Sequence, residues 1–299
     1  MSCKWLILVL AAVVQAAAPA ASPERAAQAL VLEDQAFSSR AAQLPLADGL
    51  APMFAADVIM PGPPANLYRG RDAVTAFLRA SADGAARASW APVRVGVSAD
   101  GQHGFTFGVM TLTHPDGRTV PLKYMAYWVK GANGWRVAGY KRARRPDGEV
   151  ATTTMPAHLP ATLVSPRTGT AWLEQQRASL VGAERAFSDE AQRIGLGPAF
   201  VQYGQATAVN MGGPANAGFV VGAEAIGTLV GGGRPPGPPS PVEWSTEVAL
   251  VASSGDLGIS FGFIRPNERP AGGPAPAGQP FFTIWSRPSP DAPWRYIAE

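Results

Sequence analysis

The chain has 299 residues, 46% of them hydrophobic, and a formal net charge of +3. This length and apolar content suffice for two domains with separate cores, and the small, scattered charge argues against a nucleic-acid-binding surface. The single cysteine, Cys3, precedes an apolar run that we expect to be removed. The mature protein is therefore predicted to contain no thiol, disulfide or cysteine-bound metal.

Residues 1 to about 21 have the composition of a signal peptide. One lysine precedes an apolar run over residues 5–14, and small residues suited to a signal peptidase follow it. The run is short for a membrane span, although an uncleaved anchor is the alternative. The sequence therefore predicts a periplasmic or secreted protein with no membrane contact after cleavage.

The remaining chain consists of two related halves. The stretch LVLEDQAFSSRAAQLPL, residues 30–46, recurs as LVGAERAFSDEAQRIGL, residues 180–196, with seven identities in seventeen positions. In each copy the apolar residues follow the period of an amphipathic helix, and one carboxylate, Asp34 or Glu184, interrupts the apolar stripe. Each half is thus predicted to begin with a helix that points an acid toward apolar surroundings.

The elements that follow repeat in the same order. A short helix leads to a strand at residues 57–60, and Gly70 and Gly222 mark the start of a third helix in the two copies. Residues 90–110 then align without gaps to residues 244–264 as two strands joined by a glycine turn. Helices followed by an antiparallel meander predict an α+β fold in each copy.

The repeat divides the chain into four predicted segments. These are a signal peptide (residues 1–21), a first domain (22–145), a linker (146–170) and a second domain (171–299). Two loops of the second copy, residues 231–241 and 270–280, are too rich in proline and glycine for regular structure, and are interpreted either as surface insertions or as a lid. A basic run that includes Lys141 and Arg142 is predicted to be a solvated strand end, with an anion or membrane contact as the alternative.

The motifs in this order resemble the nuclear transport factor 2-like superfamily, particularly its SnoaL-like bacterial members. They are the A-F-S helix core, the G-x-D/E-A-V/I helix start, the long meander and the closing W-R strand. The resemblance implies a cone of curved sheet wrapped by helices, and two copies that pack through their sheets as an internal pseudo-dimer. It does not specify function, because the superfamily includes isomerases, dehydratases, cyclases, binding modules and catalytically silent domains.

The repeated acids are the first candidate site residues. In this superfamily the inward face of the first helix lines the cone, where burial would raise the pKa of Asp34 or Glu184 as a general base requires. The alternative is a structural carboxylate whose partners are backbone amides, Arg136 or Arg295. Asp57 is an acid in the first copy only, since its counterpart in the second is a threonine. An acid found in one copy fits either a single functional site in the first domain or an exposed aspartate at a strand end.

Aromatic residues of the meander complete the predicted binding set. By strand alternation Tyr124 and Trp128 share one face and Tyr127 takes the other, so that one set would line the cavity and the other the domain contact. The alternative is that most of these aromatic side chains pack in the hydrophobic core and line no cavity. The full set predicted to bind a ligand is Asp34, Phe37, Asp57, Trp90, Tyr124, Trp128, Glu184, Phe187, Trp244 and Trp285.

The three histidines restrict the chemistry. His103 and His114 are assigned to turns and His158 to the linker, so the sequence favours neither an Asp–His dyad nor a metal site. No nucleophile elbow or phosphate loop is present, and no cofactor is predicted. We therefore expect an exported tandem protein that binds a small, largely apolar molecule in a cone or is catalytically silent. The alternatives are an isomerase or dehydratase with a pocket aspartate as general base, and an interaction module for an envelope protein.

Overall fold

The computed structural model describes residues 22–150, 152–232, 237–268 and 277–299. The predicted signal peptide and the central parts of both proline–glycine loops lie outside these ranges. Among the described residues, no helix is long and apolar enough to cross a membrane.

The first domain places its helices before its meander, as the sequence predicts. Helix α1 begins directly after Ser22, whose side chain accepts a hydrogen bond from the amide of Arg25, and Pro23 occupies its first turn. The elements are α1 (Pro23–Ala41), α2 (Leu46–Leu50), a 3₁₀ turn (Ala51–Met53), β1 (Phe54–Gly62), β2 (Asn66–Arg69), α3 (Arg71–Ala80), β3 (Arg87–Val97), β4 (His103–Thr113), β5 (Thr119–Gly131) and β6 (Gly134–Arg144).

The second domain repeats this order. Its elements are α4 (Thr170–Ile194), α5 (Leu196–Tyr203), β7 (Gly204–Asn210), β8 (Val220–Val221), α6 (Ala223–Gly231), β9 (Val242–Val251), β10 (Leu257–Pro266), β11 (Gln279–Ser286) and β12 (Arg295–Ala298).

The two six-stranded sheets have the same topology. The strand order is β2-β1-β6-β5-β4-β3 in the first and β8-β7-β12-β11-β10-β9 in the second. The β1–β6 and β7–β12 pairs are parallel, and the remaining neighbours are antiparallel. The predicted α+β fold with two similar domains is confirmed.

Each sheet packs its helices on one face and the other domain on the opposite face. Tyr124 and Trp128 belong to the core beneath the helices of the first domain. Tyr127 belongs to a separate core that includes Phe261 and Phe282 of the second domain. The alternation predicted for β5 is therefore confirmed, and the face-to-face packing of the two sheets fits an internal pseudo-dimer.

Buried polar groups connect the domains at the margins of this core. The fully buried Nζ of Lys123 donates to the carbonyl oxygens of Asn216 and Gly218, at 2.6 and 2.9 Å. At the hairpin turns, Asp100 accepts a hydrogen bond from Ser253 Oγ, at 2.7 Å. Because buried polar groups without partners are costly, these contacts favour one arrangement of the two domains.

The segment between β6 and α4, predicted only as a linker, lies along the edge of β3. The amide of His158 donates to Val95 O at 2.9 Å, and the amide of Val97 donates to His158 O at 3.1 Å. Gly96 and His158 form a parallel bridge. This segment therefore covers a strand edge that would otherwise be open to pairing.

The basic run lies in a different place from the one predicted. Lys141 and Arg142 pair with Met125 and Tyr124 inside β6, which ends at Arg144. The run was predicted to follow the final strand, and this was wrong because the ladder with β5 continues beyond the apolar part of the strand; Lys141 and Arg142 are half-buried there.

Candidate functional site

The carboxylate of Asp34 lies at the centre of the first cone. It is fully buried on α1, and the indole Nε1 of Trp90 donates to its Oδ1 at 2.6 Å. The hydroxyl of Tyr124 donates to its Oδ2 at 2.7 Å. Arg136, one of the partners considered from the sequence, donates to the carbonyl oxygen of Trp135 instead. The partners of the acid are thus side chains of the meander.

Ser38 fixes the strand that supplies this indole. Its hydroxyl lies one helical turn after Asp34 and bonds both the carbonyl oxygen and the amide of Trp90, at 2.7 Å each. Between them in sequence, Phe37 stacks on Trp128 with ring centroids 6.0 Å apart. The A-F-S motif therefore fills the cone with its phenylalanine and holds β3 with its serine.

The second cone repeats the arrangement around Glu184. Its carboxylate accepts hydrogen bonds from Trp244 Nε1 at 2.7 Å and from Trp285 Nε1 at 3.0 Å, and the hydroxyl of Ser260 donates to it as well. The amide of Trp244 donates to Ser188 at 3.0 Å. An acid, a serine one turn later and a tryptophan on the facing strand thus form one repeated unit.

The two cones differ in how the acid reaches its partners. In the first, Trp128 donates to Thr106 at 2.9 Å rather than to the carboxylate. In the second, the tyrosine hydroxyl is absent, since Phe281 stands where the first copy has Tyr124. The additional methylene of glutamate lets Glu184 bond the equivalent tryptophan directly, so the longer acid offsets the missing hydroxyl.

Burial dominates the electrostatics of both acids. It raises the pKa of Asp34 to about 6, although the hydrogen bonds from Trp90 and Tyr124 oppose the increase. Burial also raises the pKa of Glu184. A carboxylate that titrates near neutral pH can exchange a proton with a substrate, provided that the substrate can reach it.

The side chains around both acids close the cones. Asp34 and Trp128 are 0% exposed, and Trp90 is 8% exposed. In the second cone the ring of Phe187 lies between 4.8 and 6.1 Å from the rings of Phe200, Tyr203, Trp244, Trp285 and Tyr296. The structure thus brings the predicted site residues of each cone together as a packed interior, with Trp244 its half-buried member.

Asp57 is the exception. It is exposed on β1 and lies outside the cone, where it lines a cleft of about 530 Å³. The cleft is also lined by Arg71, His103 and Arg136, and by Leu250 of the second domain. Asp57 and Asp34 therefore belong to different sites.

His103 differs from its predicted position. It is the first residue of β4 and is buried, with its ring Nδ1 2.9 Å from the hydroxyl of Tyr127. Burial lowers the pKa of His103 to about 4. The assignment to the turn was wrong because β4 begins before the next glycine. Among the described residues, no group of three or more His, Cys, Asp or Glu side chains could hold a metal ion.

A second groove, of about 1140 Å³, lies on the second domain between α5 and α6. Its walls include Val201, Glu224 and the described end of the first proline–glycine loop, residues 237–241. Gly195 allows this loop to pass close to α5, since a Cβ there would lie 2.7 Å from Gly237 O. The lid interpretation concerns residues 231–241 and 270–280, of which 233–236 and 270–276 lie outside the described part of the chain.

Residues 36–140 match the family model of the SnoaL-like domain. The first domain is therefore similar to the SnoaL-like domain, over about a third of the chain. Among curated proteins, none matches this sequence. The second domain has the sheet order of the first, which makes the chain a tandem of one fold.

Solved structures that are similar to this chain come from several bacteria. A Novosphingobium aromaticivorans NTF2-like protein with a cystatin-like fold is 15% identical, over 43% of this chain and 87% of that one, with a TM-score of 0.34. A ketosteroid isomerase-like protein from Erwinia carotovora is 16% identical, over 42% of this chain and 95% of that one, with a TM-score of 0.30. A Mycobacterium tuberculosis protein in complex with estradiol-17beta-hemisuccinate is 16% identical, over 39% of this chain and 92% of that one, with a TM-score of 0.30.

Sequence reasoning missed the hydroxyl groups of both domains. They are Ser38 and Thr106 in the first domain, and Ser188 and Ser260 in the second. The two serines that follow the phenylalanines are identical in the repeat, and Thr106 and Ser260 align within the ungapped meander. The presence of a hydroxyl side chain in both copies at each of these two aligned positions was the signal that could have identified these residues.

Proposed function

We propose that this protein is an exported, catalytically silent tandem of SnoaL-like domains, in which Asp34 and Glu184 stabilise closed cones. The observation that supports it most strongly is the complete burial of Asp34, with both carboxylate oxygens accepting hydrogen bonds from fixed side chains.

A general base must come within hydrogen-bond reach of the proton it removes. To reach Asp34, a substrate would have to displace Trp90, whose amide and carbonyl oxygen are held by Ser38. A small apolar ligand in the same cone would have to separate Phe37 from Trp128. A catalytically silent protein with closed cones therefore needs the least rearrangement of the described structure.

The exchange of the indole hydrogens tests whether the cones open. If Trp90 and Trp128 are sealed in, their Nε1 hydrogens exchange with solvent only through global unfolding, so the free energy of exchange equals that of unfolding in urea. The proposal would be contradicted if these hydrogens exchanged through a local opening of lower free energy than global unfolding, and if the apolar dye 8-anilinonaphthalene-1-sulfonate bound saturably and protected them from exchange. The exposed amides of the β5–β6 turn provide the fast-exchange control.

An isomerase or dehydratase is the second candidate, because Asp34 has a pKa of about 6 and accepts a hydrogen bond from the hydroxyl of Tyr124. Such a pair could move a proton at carbon next to a carbonyl. The test is solvent deuterium incorporation into a panel of small ketones. If this candidate is correct, Asp34→Asn abolishes incorporation, whereas Glu184→Gln in the second domain leaves it unchanged.

Export is the remaining part of the proposal and is supported by the composition of residues 1–21. The intact mass of the protein recovered outside the cytoplasm should correspond to a chain that begins near residue 22. Recovery of the full-length chain in the membrane fraction would favour the uncleaved anchor.

A further inference from the structure

Like Lys123, Arg94 of the first domain reaches into the second as a buried cation. Arg94 on β3 is 6% exposed, and its Nη1 donates to the carbonyl oxygen of Thr207 on β7 at 2.6 Å. Its Nη2 lies 3.3 Å from Thr207 Oγ1, and its Nε donates to Pro156 O at 3.1 Å. All three guanidinium nitrogens thus have an acceptor, in β7 of the second domain or in the segment between the domains.

The pseudo-symmetry of the tandem defines the reverse contact. Arg94 pairs with Phe107 directly after a register shift in β3, and Val248 pairs with Phe261 at the same shift in β9. The registers of β1 with β6 and of β7 with β12 likewise place Asp57 and Thr207 at equivalent positions. The counterpart of the pair Arg94 and Thr207 is therefore Val248 and Asp57.

At the second contact, Val248 replaces the cationic Arg94 and Asp57 replaces the neutral Thr207, so the cation is lost and an acid is gained. Valine carries no charged group across the domain boundary, and within the described residues the carboxylate of Asp57 forms no ion pair or hydrogen bond. The cleft of about 530 Å³ is found at this end of the interface, between Asp57 and Leu250, two residues beyond Val248. This volume is within the range of small-molecule sites.

The other walls of the cleft add positive charge. Arg71 and Arg136 line it, each with one guanidinium nitrogen already donated to a backbone carbonyl oxygen. A guanidinium has five N–H donors, so both retain capacity for an anion. A molecule that is cationic at one end and anionic at the other would therefore complement the cleft.

We propose that this interdomain cleft binds a small zwitterion, in which a guanidinium or primary ammonium group occupies the position next to Asp57 and a carboxylate contacts Arg71 or Arg136. An amino acid with a basic side chain has this chemistry. The proposal is independent of the state of the cones, since the cleft lies outside them.

Calorimetric titration of the mature protein with free L-arginine tests the site, with agmatine, which lacks the carboxylate, as a second probe. L-arginine should bind with a Kd below about 1 mM, and agmatine at least 10-fold more weakly, because it leaves the arginines without a partner. No saturable binding of L-arginine, or equal binding of both probes, would overturn the proposal.

Two variants locate the binding. Asp57→Asn should weaken L-arginine binding at least 10-fold, and Val248→Arg should abolish it by supplying the guanidinium from the chain. Asp189→Asn, which changes an exposed acid on α4, is the matched control and should bind like the unmodified protein. Unchanged affinity in Asp57→Asn or in a folded Val248→Arg would refute the site.

Discussion

The indole of Trp90 donates a hydrogen bond to Asp34 across the interior of the first cone, and Trp244 does the same to Glu184 in the second. In both domains the first helix is thereby joined to the first long strand of the meander through a buried carboxylate. Because a buried acid is costly unless its oxygens are satisfied, the acid and its tryptophan act as one structural unit.

Removal of the first acid should destabilise the protein strongly. Asp34→Ala leaves Trp90 Nε1 and the Tyr124 hydroxyl buried without an acceptor, and each orphaned donor costs roughly 1–3 kcal/mol. We expect the free energy of unfolding in urea to fall by about 2–5 kcal/mol. Glu33→Ala, at the preceding and more exposed helix position, is the control and should change it by less than about 0.5 kcal/mol. Equal effects of the two substitutions would contradict the role assigned to Asp34.

The acid should also make stability depend on pH. The folded pKa of Asp34, about 6, lies above the ordinary value of 3.8, so the folded state holds this proton more tightly than the unfolded state. Its stabilising contribution is therefore complete below about pH 4 and is lost as the pH rises through 6, by on the order of 3 kcal/mol.

The measurement compares urea unfolding at pH 4 and pH 7 in the unmodified protein and in Asp34→Asn, which cannot titrate at this position. The difference in unfolding free energy between the two proteins should change across this range, with the unmodified protein losing stability relative to the variant. Tyr124→Phe should move the midpoint to higher pH, because the hydrogen bond from Tyr124 lowers the pKa of Asp34. A parallel pH dependence in all three proteins would argue against a buried, protonating Asp34.

The role of Ser38, the serine of the A-F-S motif, can be tested against its neighbour Ser39. Ser38→Ala removes both hydrogen bonds to the backbone of Trp90 and should lower the unfolding free energy by about 1–3 kcal/mol. The neighbouring exposed Ser39 bonds only Gln35 O within its own helix. Ser39→Ala should be close to neutral or slightly stabilising, since alanine has the higher helix propensity. Similar losses for the two serines would show that Ser38 does not fix β3.

The contact between the sheets can be tested at a glycine. A Cβ at Gly139 would lie 2.8 Å from Phe261 and 3.1 Å from Phe282 of the second domain, whereas one at Gly131 would meet nothing within 4 Å. Gly139→Val should therefore separate the domains locally and cost about 1–3 kcal/mol, as overpacking does. Gly131→Val should have a smaller effect. Thermal unfolding of both variants provides the measurement, and no loss in Gly139→Val would contradict the face-to-face packing.

The amino-acid sequence by itself determined the tandem, its α+β order and the two faces of β5. These follow from spacing: a repeat at nearly constant offset shows duplication, and strand alternation separates Trp128 from Tyr127 without knowledge of their neighbours. It also placed Asp34 and Glu184 on the inward stripe of their helices, because helical periodicity defines the buried face.

Only the tertiary structure decided what these acids do and where Asp57 belongs. The partners of Asp34 lie 56 and 90 residues away on other elements, and sequence periodicity carries no information on which distant side chains fill the remaining volume of a cone. The cleft beside Asp57 is likewise lined by a residue of the other domain, Leu250. Its existence follows from the way the two sheets pack, a long-range property that no local pattern encodes.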